Sequence, residues 1–133
     1  MTFVDTNVIL DLVTDDPAWA TWSSDQLRQA GRSGNLLIND VVYAELAARY
    51  ESIEDLDEMV DGTGFQLTPI PRAALFRAGK AFHRYRKTGG TRTGVLPDFF
   101  IGAHALILHV PLLTRDAARF RTYFPNLKLI IPQ

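Results

Sequence analysis

A chain of 133 residues, 47% hydrophobic and 22% charged, is long enough to bury its own core and reads as one domain over residues 1–133. It has no cysteine, which excludes disulfides, thiolate metal sites and cysteine nucleophiles and is compatible with a reducing cytoplasm. A formal net charge of -1 excludes nucleic-acid binding by bulk electrostatics alone, so any such binding must be local or bridged by metal.

Thr2 to Val4 reads as a short strand that ends at Asp5. Asp5-Thr6-Asn7 then opens the apolar run Val8-Ile9-Leu10, spaced for a short helix. Asp15-Asp16-Pro17 carries the acids and proline of a helix start. That helix is expected to run to about Gly31, with Trp19, Trp22, Leu27 and Ala30 on its apolar side and Gly31 and Gly34 closing it. Leu36-Leu37-Ile38 is compact and apolar, as in a buried strand. Asn39 caps a helix carrying Val41, Val42, Leu46, Ala47 and Tyr50, and Ile53 to Val60 forms an acidic helix ended by Gly62-Thr63-Gly64.

Phe65 to Ile70 is a strand candidate, and Pro71 or Arg72 starts a helix through Tyr85. Thr88 to Gly94 is the one flexible-looking stretch. Pro97 and Asp98 open a helix to about His109, Val110 to Thr114 is a strand, Ala117 to Tyr123 a helix, and Leu127 to Ile131 a last strand. Strands alternating with helices predict an α/β fold with a mostly parallel sheet. No apolar stretch approaches the roughly 18–20 residues of a membrane span. The longest, Phe99 to Leu113, is interrupted by His104, His109 and Pro111. No basic leader is visible at the N-terminus, so a cytoplasmic protein without membrane contact is expected.

Asp5, Glu45, Asp98 and Asp116 stand among apolar neighbours, where a carboxylate is costly unless it is paired, hydrogen-bonded or bound to a metal. In open parallel sheets, ligands bind beyond the carboxyl ends of the strands, and Asp5 and Asp116 both fall there. Each alone could equally be a helix N-cap, and Asp98 alone is explained by its place in the first turn of a helix. Its neighbours Ile101, Gly102 and Ala105 nevertheless turn it inward, with Gly102 leaving room for close approach. Glu45 has Val41, Val42 and Ala48 on its face, and a surface pair with Arg49 is the competing explanation. Glu54, Asp55, Asp57, Glu58 and Asp61 crowd one short helix and read as a solvated face. Asp11, Asp15, Asp16, Asp25 and Asp40 read as caps or surface charges, with Asp11 a possible supporting residue. The histidines are not at metal-ligand spacing, and His104 reads as helix packing.

These acids arrive in recognisable surroundings: Phe3-Val4-Asp5-Thr6-Asn7-Val8-Ile9-Leu10, Val42-Tyr43-Ala44-Glu45-Leu46, Leu96-Pro97-Asp98-Phe99-Phe100-Ile101-Gly102-Ala103-His104-Ala105, and Leu113-Thr114-Arg115-Asp116-Ala117-Ala118-Arg119-Phe120. In this order the chain resembles the PIN-domain ribonucleases, and among them the VapC-like toxins of toxin–antitoxin pairs. The resemblance implies a three-layer α/β/α domain and metal-dependent endonucleolytic cleavage of RNA. It maps Asp5, Glu45, Asp98 and Asp116 onto the family's acidic site, with Thr6 or Asn7 and Thr114 at its accompanying polar positions.

A hard cation such as Mg²⁺ or Mn²⁺ would take Asp5 and Asp98 as its core ligands, and Asp116 and Glu45 would complete the site, directly, through water or at a second ion. Thr114 would orient Asp116 or the attacking water, and Asn7 would hold Asp5 or a phosphate oxygen. Four carboxylates this close should raise at least one pKa, so metal binding is expected to stabilise the fold and to weaken as pH falls. His83-Arg84-Tyr85-Arg86-Lys87 with Arg92 is the densest basic patch, either a substrate contact with Tyr85 stacking on a base or a solvated helix end. Arg115 could contact phosphate or point outward. The partners expected from the resemblance are RNA, a small antitoxin and a second copy of the chain, for which the stripe around Trp19 and Trp22 is a candidate surface. The alternatives are a noncatalytic PIN-like binding module and an Asp-nucleophile phosphatase. The latter is disfavoured because it would want a second aspartate at position 7, where this chain has Asn7.

Overall fold

The computed structural model describes residues 1–92 and 94–133; Thr93, in the glycine-rich stretch read as flexible, lies outside the described residues. The elements run β1 (Thr2–Val4), α1 (Thr6–Val13), α2 (Ala20–Ser33), β2 (Leu36–Ile38), α3 (Asp40–Ala47), α4 (Ile53–Thr63), β3 (Phe65–Leu67), α5 (Arg72–Lys87), α6 (Leu96–Leu108), β4 (Leu112–Leu113), α7 (Ala118–Tyr123) and β5 (Leu129–Ile130). All strand pairings are parallel, and the sheet order is β3-β2-β1-β4-β5. Every residue of β1, β2 and β4 is buried, as expected for strands covered by helices on both faces. This is the α/β architecture expected from the alternation of strand and helix patterns.

Strand order decides where a ligand can sit. The chain lays down β1, β2 and β3 outward in one direction, then returns to place β4 on the other side of β1. The order therefore reverses between β1 and β4, and the crevice of a doubly wound sheet opens beyond the carboxyl ends of those two strands. Phe3 is in register with Leu112 and Val4 with Leu113, and the backbone N–H of Asp5 donates to the Leu113 carbonyl at 2.9 Å. Asp5 and Thr114 thus leave the sheet side by side.

Helix boundaries follow local chemistry. Asn39 caps α3 through its side-chain oxygen, which accepts from Val41 N and Val42 N, and Ser52 caps α4 by accepting from Asp55 N. Gly64 ends α4 in the left-handed region at φ 86°, which glycine adopts without a Cβ penalty. The expected start at Asp15-Asp16-Pro17 is displaced. Asp16 Oδ1 accepts from Ala18 N and Trp19 N, which closes a turn over residues 17–19, and α2 begins only at Ala20. The helix also passes through Gly31 and ends at Ser33. The strands are shorter than the apolar runs suggested: β3 stops at Leu67, β4 spans two residues and β5 starts at Leu129.

Helix α6 is the central helix, fully buried from Ile101 through Ala105. It packs along α5 and also against α3 and α7. Phe99 stands edge-on to Phe82, Tyr85, Tyr123 and Phe124 at centroid distances of 5.1–6.2 Å, which locks α5, α6 and α7 together. Gly102 serves this packing rather than the acid at position 98. A Cβ there would lie 2.8 Å from two ring carbons of Phe124 and 3.0 Å from Phe120.

Two glycine substitutions separate packing from propensity. Gly102→Ala should overpack the α6–α7 contact and lose about 1–3 kcal/mol. Gly79→Ala, in a helix with nothing within 4 Å of its would-be Cβ, should gain about 0.5–1 kcal/mol. Urea unfolding of both variants checks the pair, and a stabilised Gly102→Ala would contradict the packing described.

Candidate active site

The four acids come from four places around the crevice: Asp5 from the end of β1, Glu45 from α3, Asp98 from the first turn of α6, and Asp116 from the loop after β4. Asp5 is the deepest, at 4% exposure; Asp98 is half-buried, and Glu45 and Asp116 are exposed. Asp98 and Glu45 both raise the pKa of Asp5 through space, and Glu45 and Asp116 raise that of Asp98. The four carboxylates thus belong to one electrostatic neighbourhood.

The capping explanations do not hold. Asp5 occupies the N-cap position of α1, yet its side chain makes no capping hydrogen bond. Asp116 is not the cap of α7, a place taken by Ala117. No ion pair joins Glu45 to Arg49 among the described residues; instead Thr6 Oγ1 donates to Glu45 Oε1 at 2.7 Å.

Two hydroxyls do most of the orienting. Thr114, fully buried, donates its one proton to Asp5 Oδ2 at 2.7 Å and accepts from Asp116 N at 3.1 Å. Asn7 Nδ2 also approaches Thr114 Oγ1 at 3.4 Å, while Asn7 Oδ1 accepts from Arg115 N at 3.3 Å. Thr114 therefore orients Asp5 rather than the Asp116 carboxylate. Asn7 ties the loop after β4 to α1 and makes no hydrogen bond to Asp5. Thr6, next to Asp5, orients Glu45.

Two arginines that the sequence left open, or left out, frame the acids. Arg119 of α7 forms an ion pair with Asp98 through Nη1 and Oδ2. It lies one helical turn beyond Asp116 and was not singled out from sequence, where it reads as one more helix-surface cation. Arg115 is turned away from the acids and held in a fork: Nε donates to Asp11 Oδ2 at 2.7 Å and Nη2 to Asp11 Oδ1 at 3.0 Å. Its guanidinium also lies over the Trp19 ring, 5.1 Å from the centroid. Asp11 is not a surface charge. It is 2% exposed and accepts a further bond from Ser23 Oγ at 2.6 Å. Trp19 and Trp22, edge-to-face at 6.0 Å, are partly buried in this arrangement.

Arg86 lies outside the constellation. It is exposed, sits over the Phe82 ring at 5.3 Å and makes no ion pair among the described residues. Tyr85, offered above as a base platform, is occupied within the fold: it packs edge-on against Phe99 and Tyr123, and its hydroxyl accepts from Arg92 N. His104 is wholly buried between Phe3 and Asn39. Since Asn39 Oδ1 is committed to the α3 backbone, its Nδ2 must donate to His104 Nδ1, which places the histidine proton on Nε2. Burial holds this ring below the usual histidine pKa, hence neutral. The pair ties α3, which carries Glu45, to α6, which carries Asp98.

The PIN domain family model matches residues 2–124. The chain belongs to the PIN domain family. No curated protein matches the sequence. In fold, this PIN domain is similar to VapBC2 from Rickettsia felis, solved with a DNA fragment from its promoter, at TM-score 0.74 and 18% identity over 99% of this chain and 98% of that one. It is also similar to VapBC-1 from nontypeable Haemophilus influenzae, at 0.71 and 20% over 98% and 96%, and to a toxin–antitoxin complex from Klebsiella pneumoniae, at 0.70 and 18% over 100% and 98%. No helix among its described residues is long and apolar enough to cross a membrane.

Burial first, then repulsion from Asp98 and Glu45, lifts the Asp5 carboxyl from 3.8 to about 7 against the lowering effect of the Thr114 hydrogen bond. Asp98 is also raised, by burial ahead of everything else, and Arg119 pulls it back. An all-oxygen donor set with one buried carboxylate and three neighbours of like charge suits a hard divalent cation. Arg119 supplies a single counter-charge at one edge of it. Among the described residues no three acidic or histidine side chains close into a ready-made metal cage. Asp5, Asp98 and Asp116 would hold such an ion only with side-chain adjustment or through water, as Mg²⁺ commonly accepts.

The sign of the Asp5 shift fixes a pH dependence. Its folded pKa, about 7, lies above the unfolded value of 3.8, so the folded state keeps a proton that the unfolded state has lost. Stability from this group is highest below about pH 4, falls as pH rises toward 7, and stays reduced above it. In EDTA, Asp5→Asn should therefore raise the melting temperature at pH 8 by several degrees, at about 2–4 °C per kcal/mol, and leave it nearly unchanged at pH 4. A variant no more stable than the parent at pH 8 would contradict the burial of an unpaired carboxylate. Asp11→Asn should act in the opposite direction. It weakens the fork on Arg115 and should cost roughly 2–3 kcal/mol in urea unfolding at pH 7. A loss below about 0.5 kcal/mol, as for an ordinary surface pair, would count against that brace.

Proposed function

We propose that this PIN domain is a Mg²⁺- or Mn²⁺-dependent endoribonuclease that acts as the toxin of a toxin–antitoxin pair in the cytoplasm. The observation that carries this reading is the buried Asp5 carboxyl, set at the reversal of a parallel sheet and repelled by Asp98 and Glu45. Such a site favours a cation and, with it, chemistry on phosphate.

Asp5, Asp98 and Asp116 would hold the ion, with Glu45 at the edge. A divalent ion bound there neutralises charge on a phosphodiester and acidifies water, the two obstacles to attack on an anionic ester. The protein's own contribution is orientation. Thr114 donates to Asp5 Oδ2 and Thr6 donates to Glu45 Oε1, so each hydroxyl fixes one oxygen of its carboxylate. Arg119 holds Asp98 by one carboxylate oxygen, and its remaining N–H donors suit a phosphate oxygen. The Asp11–Arg115 fork and the Asn7 bond to Arg115 N hold the loop bearing Asp116. A carboxyl poised near neutrality, Asp5, would be deprotonated as the ion binds, so activity should fall below about pH 7.

The antitoxin proposal rests on the fold shared with toxin–antitoxin complexes, and the homodimer proposal on the sequence resemblance to VapC-like toxins alone. The deciding experiment is cleavage of a mixed RNA pool with Mg²⁺ or Mn²⁺ by the parent, Asp5→Asn, Asp98→Asn and the exposed control Glu58→Gln. Both aspartate variants should lose at least about 100-fold in kcat/KM while Glu58→Gln stays within about twofold. Equal cleavage by parent and both aspartate variants would sink the site assignment, and no cleavage by the parent would favour a noncatalytic binding module.

A further inference from the structure

The charges of this chain are segregated. Between Asp61 and Asp98 there is no acidic residue, yet Arg72, Arg77, Lys80, Arg84, Arg86, Lys87 and Arg92 lie there, half of its 14 basic residues. That segment alone carries a formal charge of +7, so the remainder of a chain of net charge -1 carries -8. Six of the seven are mounted on α5, where Arg77, Lys80 and Arg84 recur at i, i+3 and i+7 and so share one face.

The three line a cleft of about 330 Å³ whose far wall is Tyr123 and Asn126. None of the three makes an ion pair among the described residues. Arg84 is pre-oriented, donating from Nη2 to the Tyr123 carbonyl at 2.9 Å, with its guanidinium 5.5 Å from the Tyr123 ring centroid. Arg84, the last cation of the row, lies over Tyr123, and Tyr123 packs edge-on against Phe99, the residue after Asp98 in the first turns of α6. Tyr123 belongs to α7, the helix whose Arg119 pairs with Asp98.

We propose that the α5 face formed by Arg77, Lys80 and Arg84 binds the sugar–phosphate backbone of single-stranded RNA and delivers it to the acidic crevice. Charge complementarity selects the occupant. A crevice of four carboxylates on a net-acidic body repels RNA, and a cation row is needed to offset that repulsion; one spanning about 10 Å of helix meets successive phosphates. The inference rests on the ribonuclease reading and names how its substrate is held. The contacts are to backbone away from the reacting bond, so they act on binding rather than on the chemical step.

The test uses the full chain with fluorescent 20-residue oligouridine as probe, followed by anisotropy in EDTA and by cleavage in Mn²⁺. Arg77→Gln/Lys80→Gln changes two exposed side chains that make no hydrogen bond to the fold, and Arg28→Gln/Arg32→Gln on α2 removes the same charge elsewhere. The α5 pair should bind roughly tenfold more weakly, flatten the slope of log K against log salt by about 1.4, and raise KM with kcat within about twofold, while the α2 pair stays near the parent. Binding and KM unchanged in the α5 pair overturn the proposal while the nuclease stands. Equal loss in the α2 pair overturns it too, since net charge then suffices. Polyglutamate bound as tightly as the RNA, with the same loss in the α5 pair, overturns it in favour of an acidic protein partner. A parent that binds RNA through this face but cleaves none supports the face and sinks the nuclease.

Discussion

One constraint organises the site: a carboxylate, Asp5, is buried at the point where a parallel sheet reverses its strand order, with other carboxylates beside it. An ordinary core would not tolerate this, because burial disfavours the charged form and each like neighbour adds to the cost. The surrounding structure reduces the cost without removing it. Thr114 donates to Asp5, Thr6 donates to Glu45, and Arg119 pairs with Asp98. What is left over is a deficit of positive charge, which the protein's own side chains do not fill.

The fold holds that deficit in place. Backbone pairing between β1 and β4 sets Asp5 and Thr114 side by side, and the aromatic cluster around Phe99 fixes α6 against α5 and α7. The Asn39–His104 bond ties the helix of Glu45 to the helix of Asp98. Behind Asp116, the Asp11–Arg115 fork, with Trp19 covering the guanidinium, anchors the loop from the far side. The acids are therefore presented from elements that cannot spread apart without breaking packing or a buried hydrogen bond.

Much of this was legible in the sequence, for identifiable reasons. Compact apolar runs such as Leu36-Leu37-Ile38 and Leu112-Leu113 mark strands buried on both faces, and alternation with helical patterns predicts the parallel sheet that is found. Asn39 announced the start of α3, and an acid at the end of β1 and another just past β4 pointed to the crevice. What was not legible depends on side chains meeting across the fold. Asp11, read as a cap, a surface charge or a supporting residue, and Arg115, read as a phosphate contact or an outward-pointing cation, lie 104 residues apart and form a partly buried fork. Arg119 reads as a solvated helix cation until α7 is packed beside α6. Asp16 closes a turn of its own rather than starting α2, because its side chain serves Ala18 N and Trp19 N. Gly102 reads as space for the acid, whereas the space belongs to Phe124.

The most direct test of the central claim is calorimetric titration of the full chain with Mn²⁺ at pH 7, in buffers of different ionisation enthalpy. With an Asp5 pKa of about 7, binding at a site that includes it should release about half a proton per ion. Release should fall toward zero at pH 8.5, and Asp5→Asn should bind more weakly and release clearly less. Binding with the same affinity and the same proton release in Asp5→Asn, or no binding by the parent at millimolar Mn²⁺, would contradict the assignment of Asp5 to a cation site.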